Sequence, residues 1–321
     1  MSEAKPDSHS ILIAIPTFRR PDMLSRLLQS IARIWIPHGS VVEVLVMDND
    51  STPQARALVL GIAETFPLRL SYAHVTDPGL SSVRNFGLNR ARDFDFLAMI
   101  DDDEIPQRQW LLELINVQDA TGADAVVGPV PRIVPDSAPG WLRRARFFDS
   151  PTYPDRTLVR DGYSGNCLLR IRSIQRLGIT FDSAFNFAGG EDLLFFRELA
   201  QRGGALAFAA GAVAEETVGA DRGTVSYVLK LHFRRGNTLS RCDLYFDKGW
   251  ATAATRALKG VGLVARGCVR LLPYSFLQGR TGSVTSLCEV ARGFGELCGI
   301  FGYTYQAYAR RETARASHAG A

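Results

Sequence analysis

The sequence predicts an α/β protein: a mixed, mostly parallel sheet flanked by helices, with a C-terminal helical appendage. Three observations carry this. Through about the first 130 residues, short unbroken apolar runs alternate with helix-periodic segments. Such runs suit strands buried on both faces of a parallel sheet. Three of them end in polar or acidic clusters, as strand ends facing a ligand crevice do. From about residue 251 the alternation gives way to two segments rich in Ala, Val, Leu and Gly.

The elements follow in order. Residues 11–15 (ILIAI) form the first apolar run, broken by Pro16-Thr17-Phe18-Arg19-Arg20-Pro21. Met23, Leu24, Leu27, Leu28 and Ile31 then share one helical face, with Asp22 as the expected cap. A second strand, 41–47, ends in Asp48-Asn49-Asp50-Ser51-Thr52. A helix is expected over 53–65, a strand over 68–75, and a helix over 79–92 opened by a Pro-Gly turn. The fourth strand, 94–100, delivers Asp101-Asp102-Asp103-Glu104. A helix (107–119) and a strand (123–130) follow, and repeated strand–helix units imply right-handed crossovers. Residues 131–161, rich in Pro and Arg, read as an irregular insertion, and 163–171 as a further strand. Gly189-Gly190-Glu191-Asp192 opens a helix over 193–201.

With 321 residues, 46% hydrophobic, the chain can bury a large core. The expected division is a disordered 1–9, a main domain 10–248, a helical region 249–308 and a disordered tail 309–321. A net charge of +4 does not by itself imply nucleic acid, and none is expected as a partner. Five scattered cysteines, with no CxxC pair, suggest reduced thiols and a cytoplasmic protein. The polar N-terminus shows no signal peptide, and no apolar stretch reaches the ~18 residues of a membrane span.

Four carboxylates in a row repel one another, and burial makes this worse. Asp101-Asp102-Asp103-Glu104 therefore reads either as a solvated turn or as a site for a divalent cation, which carboxylates hold and substrate phosphates share. Glu191-Asp192 has two readings as well. Acids at a helix start complement the macrodipole, but the preceding glycines also let backbone approach a ligand.

Taken together, "AIPTFRRPDML", "VLVMDNDS", "GLSSVRNFGL", "FLAMIDDDEIP", "GGEDLLFFREL" and "LHFRRGNT" resemble the family 2 glycosyltransferases. These are inverting enzymes of the GT-A (Rossmann-like) fold that use nucleotide-sugar donors. The nearest flavour is the bacterial exopolysaccharide group of succinoglycan type, and the resemblance covers about residues 10–245. It implies Mg²⁺ or Mn²⁺ as cofactor, with Asp103 binding the metal and Asp101 or Asp102 reaching the ribose or a metal-bound water. The family usually carries D-x-D-D where this chain has D-D-D-E, so the division of roles among the acids stays open. Asp48, with Asp50 beside it, matches the acid that accepts from the base. Pro16, Thr17 and Arg19 would line the donor pocket, and Arg84 would contact the donor. Arg234 and Arg235 stand where the family often has a Gln-x-x-Arg-Trp-like segment, here without the Gln and Trp. His232 reads equally as a metal or phosphate ligand and as a packed histidine. The family's Glu-Asp motif places the general base on Asp192, with Glu191 orienting the acceptor or a loop. The implied donor is a UDP-sugar and the acceptor a saccharide or lipid-linked saccharide. Two other readings stand beside this one: a haloacid-dehalogenase-type phosphatase using Asp48 and Asp50, and a non-catalytic nucleotide-sugar-binding module.

In the C-terminal region, Arg256, Lys259, Arg266 and Arg270 fall within an arc of about 80° on a helix over 251–272. A second helix, 284–305, carries only Glu289, Arg292 and Glu296 as charges. The pair reads either as helices packed on the protein or as an anchor touching an anionic membrane surface at the cytoplasmic face of the inner membrane.

Overall fold

A computed structural model describes residues 8–306. The disorder expected at 1–9 and 309–321 concerns residues that, apart from Ser8 and His9, lie outside this range.

In chain order the elements begin β1 (Ser10–Thr17), α1 (Pro21–Ile31), β2 (Val41–Asp48), α2 (Arg56–Ile62), β3 (Arg69–His74) and α3 (Leu80–Arg90). Next come β4 (Phe96–Ile100), β5 (Glu104–Pro106), α4 (Trp110–Thr121), β6 (Ala125–Val127), β7 (Arg132–Ile133) and α5 (Gly140–Arg143). After these lie β8 (Asn166–Arg170), α6 (Ile171–Leu177), α7 (Glu191–Gln201), β9 (Leu206–Phe208) and β10 (Ala214–Thr217). The chain closes with α8 (Val225–Phe246), α9 (Trp250–Gln278) and α10 (Arg280–Ile300).

Seven strands form one sheet in the order β3-β2-β1-β4-β8-β6-β9. β3, β2, β1 and β4 are parallel neighbours. β8 runs antiparallel to both β4 and β6, while β6 and β9 are parallel. β5 pairs antiparallel with β10, Glu104 opposite Glu216.

Contacts divide the chain into two compact units. The first comprises 1–131, 150–186 and 191–216; the second comprises 132–149, 187–190 and 217–321. The boundary expected at 248 falls inside the second unit, because α8 packs extensively on α10.

In the first unit the sheet is covered on both faces. Ile11, Ile13 and Ile15 of β1 meet Leu24, Leu27, Leu28 and Ile31 of α1 and Trp110 of α4. Leu12 and Ala14 point the other way, into a core with Val83 of α3, Ile174 of α6 and Phe195 of α7. The alternation of one unbroken apolar run between two cores is what a doubly covered parallel strand requires. One local expectation changes: Asp22 does not cap α1. Pro21 takes the first helical position, where its missing N–H costs nothing, and Asp22 sits in the first turn.

The second unit is mostly helical. Ala/Gly-rich sequence here reflects close backbone approach. A Cβ on Gly236 would strike the Arg292 carbonyl, and one on Gly295 would strike the Phe233 carbonyl. Gly279, at φ +56°, separates α9 from α10. α9 runs on through Pro273 to Gln278, and α10 starts at Arg280 and ends at Ile300, so both differ from the expected limits. Three of the four cations of the α9 stripe are turned to other helices, while Lys259 stays exposed. Arg256 is buried and pairs with Asp243 and Glu296, while Arg266 and Arg270 both pair with Glu289. Among the described residues no helix is long and apolar enough to cross a membrane.

Candidate active site

β1, β2 and β4 are adjacent and parallel, so their carboxyl ends share one edge of the sheet. Pro16 lies opposite Met47 and Thr17 opposite Asp48. The acidic run after β4 turns sharply, the Glu104 amide donating to the Asp101 carbonyl at 3.1 Å. Asp102 points inward and is 5% exposed. Its carboxylate accepts from the Thr17 hydroxyl at 2.8 Å and from Arg20 at 3.1 Å. The same Arg20 nitrogen reaches Asp103 at 2.9 Å. Burial pushes the Asp102 carboxyl up to about 6; Asp103 and Asp101 push the same way, and Arg20 and Thr17 oppose them.

A cation is therefore needed at this turn, and Arg20 now supplies one. Gly165, at the adjoining end of β8, leaves the space. A Cβ there would come within 2.6 Å of a Glu104 oxygen and 3.0 Å of an Asp101 oxygen. Among the described residues no three His, Cys, Asp or Glu side chains close on one point at metal-binding spacing. The donor chemistry still fits a hard divalent ion: carboxylate oxygens crowded around a cradle that admits no side chain, with Asp101 and Asp103 the more accessible pair.

At the end of β2, Asp48 is 1% exposed and already engaged. It accepts from the amides of Asp50 (3.1 Å) and Ala55 (3.0 Å) and from the Tyr72 hydroxyl (3.2 Å). Burial and that carboxylate push the Tyr72 phenol up to about 12. Asp48 thus shapes the loop after β2. Asp50 is also buried and takes two hydrogen bonds from Arg19, at 2.9 and 2.8 Å. Burial alone would raise the Asp50 pKa, but the Arg19 and Thr52 hydrogen bonds outweigh it and hold the carboxyl below its ordinary value. Arg19 adopts φ +57°, rare for a non-glycine residue, and its guanidinium also lies over the Phe18 ring. The orientation is thus held by a specific partner on each side.

Arg84, expected to touch a donor, is 4% exposed and joins two of the chain's own acids. It pairs with Glu191 and, at 3.4 Å, with Asp101. Glu191 is 2% exposed, and its Oε2 has no hydrogen-bond partner. Glu191 is thus a buried counter-charge to Arg84. Asp192 is only partly buried, in the first turn of α7, where its Oδ1 accepts from the Leu193 amide at 2.7 Å. Gly189 and Gly190 have φ of +76° and +94°, conformations that suit glycine, and a Cβ on Gly190 would strike Thr238.

Arg234, Arg235 and His232 lie on α8 in the second unit. Arg235 donates to the Phe147 carbonyl at 3.0 Å, and the His232 ring packs edge-on against Phe147. Burial, then Arg235 and Arg292, lower the His232 pKa to about 4. Two guanidiniums beside the ring disfavour a further cation there. Two site residues escaped the sequence reading. Arg20 is indistinguishable in type from Arg19 until the chain folds, and Gly165 carries no signal beyond being a glycine near a strand.

Residues 12–178 match the family described as glycosyl transferase family 2. The succinoglycan biosynthesis protein ExoM of Rhizobium meliloti (strain 1021) is 34% identical over 270 residues, 84% of this chain and 87% of that protein. Among solved structures, the mannosyltransferase PcManGT from Pyrobaculum calidifontis, in complex with GDP-Man and Mn²⁺, superposes with a TM-score of 0.59 at 17% identity. That match covers 90% of this chain and 88% of the other. S. aureus TarS 1–349 in complex with UDP-GlcNAc gives 0.52 at 16% identity, over 89% and 91% of the two chains. At such identities these two speak for a shared fold, while the sequence matches carry kinship: the chain belongs to glycosyl transferase family 2 and is a glycosyltransferase.

Proposed function

We propose that the protein transfers a sugar from a nucleoside-diphosphate sugar, a UDP-sugar first among candidates, to a saccharide or lipid-linked saccharide acceptor, with inversion, in exopolysaccharide assembly. The observation that carries this is the buried chain Glu191–Arg84–Asp101, with Asp192 next in sequence to Glu191. It ties the carboxylate at the start of α7 to the acidic turn after β4. Kinship with ExoM supports the exopolysaccharide setting, and the nucleotide sugars bound by the structural neighbours support the donor class.

The residues divide the work. The β1 and β2 ends, with Thr17, Arg19, Asp48 and Asp50, form the wall against which the nucleoside lies. Asp101 and Asp103 would hold Mg²⁺ or Mn²⁺, which when bound would neutralise charge growing on the diphosphate. Arg20, bound to Asp102 and Asp103, is the chain's own cation at that point. Asp192 takes the proton from the acceptor hydroxyl as that oxygen attacks the anomeric carbon from the face opposite the diphosphate. Arg84 and Glu191 position rather than react. UDP-, GDP- and TDP-sugars should be screened by calorimetry with and without EDTA. Asp103→Asn is expected to weaken metal-dependent donor binding and turnover together; donor affinity indifferent to both EDTA and the substitution would overturn the metal assignment.

The phosphatase reading is not favoured. Its nucleophile would be Asp48, which already accepts three internal hydrogen bonds, and Asp50 is bound to Arg19.

Membrane contact is proposed through the apolar face that borders the cationic stripe, rather than through the stripe itself. On α9, Leu258 (75% exposed), Val261, Val269, Leu272 (81%) and Phe276 (91%) fall within an arc of about 80°. Exposed Lys259 and half-exposed Arg266 flank them, as suits a helix lying in an anionic interface. Sedimentation with phosphatidylglycerol vesicles should fall for Leu272→Glu/Phe276→Glu and remain for Lys259→Gln. Equal sedimentation of the wild type and the double glutamate variant would refute this placement.

A further inference from the structure

A recess of about 560 Å³ lies outside the acidic site, between α1 and the β5–α4 connection of the first unit. Arg26, Arg33, Arg108 and Trp35 line it, with Gln29 and Gln107. Arg26, Gln29, Ser30 and Arg33 recur at helical spacing, so α1 and the residues just beyond it present one polar face. That face lies opposite the buried stripe Leu24, Leu27, Leu28 and Ile31. The walls are tied together. The Ser30 hydroxyl donates to the Pro106 carbonyl at 2.9 Å, and the Trp35 amide donates to the Arg108 carbonyl at 2.7 Å. Trp35 shows 54% of its surface, a costly exposure for an indole on a tied segment.

Charge is the informative feature. Most arginines around the acidic site are matched to carboxylates, as Arg19, Arg20 and Arg84 are. None of Arg26, Arg33 and Arg108 has a carboxylate within ion-pair distance among the described residues. One acid does border the recess: Glu215 accepts from Gln107 at 3.3 Å. Three like charges gathered around one opening, without a counter-ion, repel one another and favour an anion. Planar guanidiniums bind carboxylates in bidentate fashion. An exposed indole offers a flat apolar face to the C–H side of a pyranose ring, and Gln29 and Gln107 offer donors and acceptors to its hydroxyls.

We propose that this recess binds an acidic saccharide, its carboxylate groups held by Arg26, Arg33 and Arg108 and one ring stacked on Trp35. The site rests on the transferase reading for its biological sense, since it would hold a stretch of acceptor chain away from the reacting end. α1 gives the scale: Arg20 is at the acidic turn and Arg26 is about 9 Å further along the helix.

The test is calorimetric titration of the full-length protein with tetragalacturonate and, as a neutral control, maltotetraose. Tetragalacturonate should bind at least tenfold more tightly than maltotetraose. Arg26→Gln/Arg33→Gln/Arg108→Gln and, separately, Trp35→Ala should each lose tenfold or more. All are at exposed positions, and UDP affinity measured on the same samples should be unchanged, which reports an intact fold and donor site. Wild-type affinity in the triple variant, equal binding of the neutral sugar, or full competition by equimolar inorganic phosphate would each overturn the site. So would tighter binding of a uridylate oligonucleotide, which would make the recess a nucleic-acid groove. A protein that binds tetragalacturonate through these residues yet turns over no nucleotide sugar would leave this site standing and overturn the transfer reading alone.

Discussion

Glu191→Gln tests the internal chain that joins the two halves of the candidate centre. Glu191 and Arg84 are 2% and 4% exposed, so the pair is buried. Removing one partner of a buried pair typically costs 3–5 kcal/mol, chiefly because the other charge is stranded. Two features reduce that here. Glutamine keeps a carbonyl that can still accept from Arg84, worth about 1 kcal/mol. Arg84 also keeps Asp101, although at 3.4 Å and with that carboxylate 35% exposed the contact is weak. The expected loss is therefore about 2–4 kcal/mol for Glu191→Gln, and as much or more for Arg84→Met, which strands a carboxylate whose Oε2 already lacks a partner. The pair Arg84→Met/Glu191→Gln removes both charges and should cost far less than the sum of the singles. Urea unfolding of the four proteins at pH 7, read as midpoint shifts at constant m, gives the coupling energy. A coupling above about 1.5 kcal/mol is expected. Single losses that add to within about 0.5 kcal/mol would show that the two side chains stabilise independently, and the argument for a positioning chain would collapse.

Asp192→Asn should reduce single-turnover rate by 10²-fold or more, about 2.7 kcal/mol, with donor affinity nearly unchanged, because proton removal contributes in the transition state. Near-normal single turnover in Asp192→Asn alongside a large loss in well-folded Glu191→Gln would move the base to Glu191. Asp50 carries a depressed pKa, so its share of stability is present above the unfolded value near 3.8 and is lost as pH falls through the folded value. Arg19→Gln should erase part of that acid-range slope; an unchanged stability–pH curve below pH 4 would contradict the Arg19–Asp50 assignment.

Much of the fold is written locally. The run 11–15 alternates between two cores because every residue in it is apolar, and the helical faces of α1 and α7 are set by spacing alone. That the strands ending in Thr17, Asp48 and Asp101 share one edge is likewise legible, since parallel strands deliver their carboxyl ends to one side of the sheet. Tertiary structure decided everything that depends on which charge meets which. Arg19 and Arg20 are adjacent and chemically identical, yet one turns to Asp50 and the other to Asp102 and Asp103. Arg84 reads as a surface or donor-facing arginine until α3 and α7 bury it against Glu191. The cationic stripe of α9 reads equally as packed and as membrane-touching until α8 and α10 bring Asp243, Glu289 and Glu296 against three of its cations. The physical reason is common to all of these. Periodicity encodes which side of an element is apolar. The partner of a charge is set by long-range juxtaposition, where a few ångströms and the loss of solvent decide the energy.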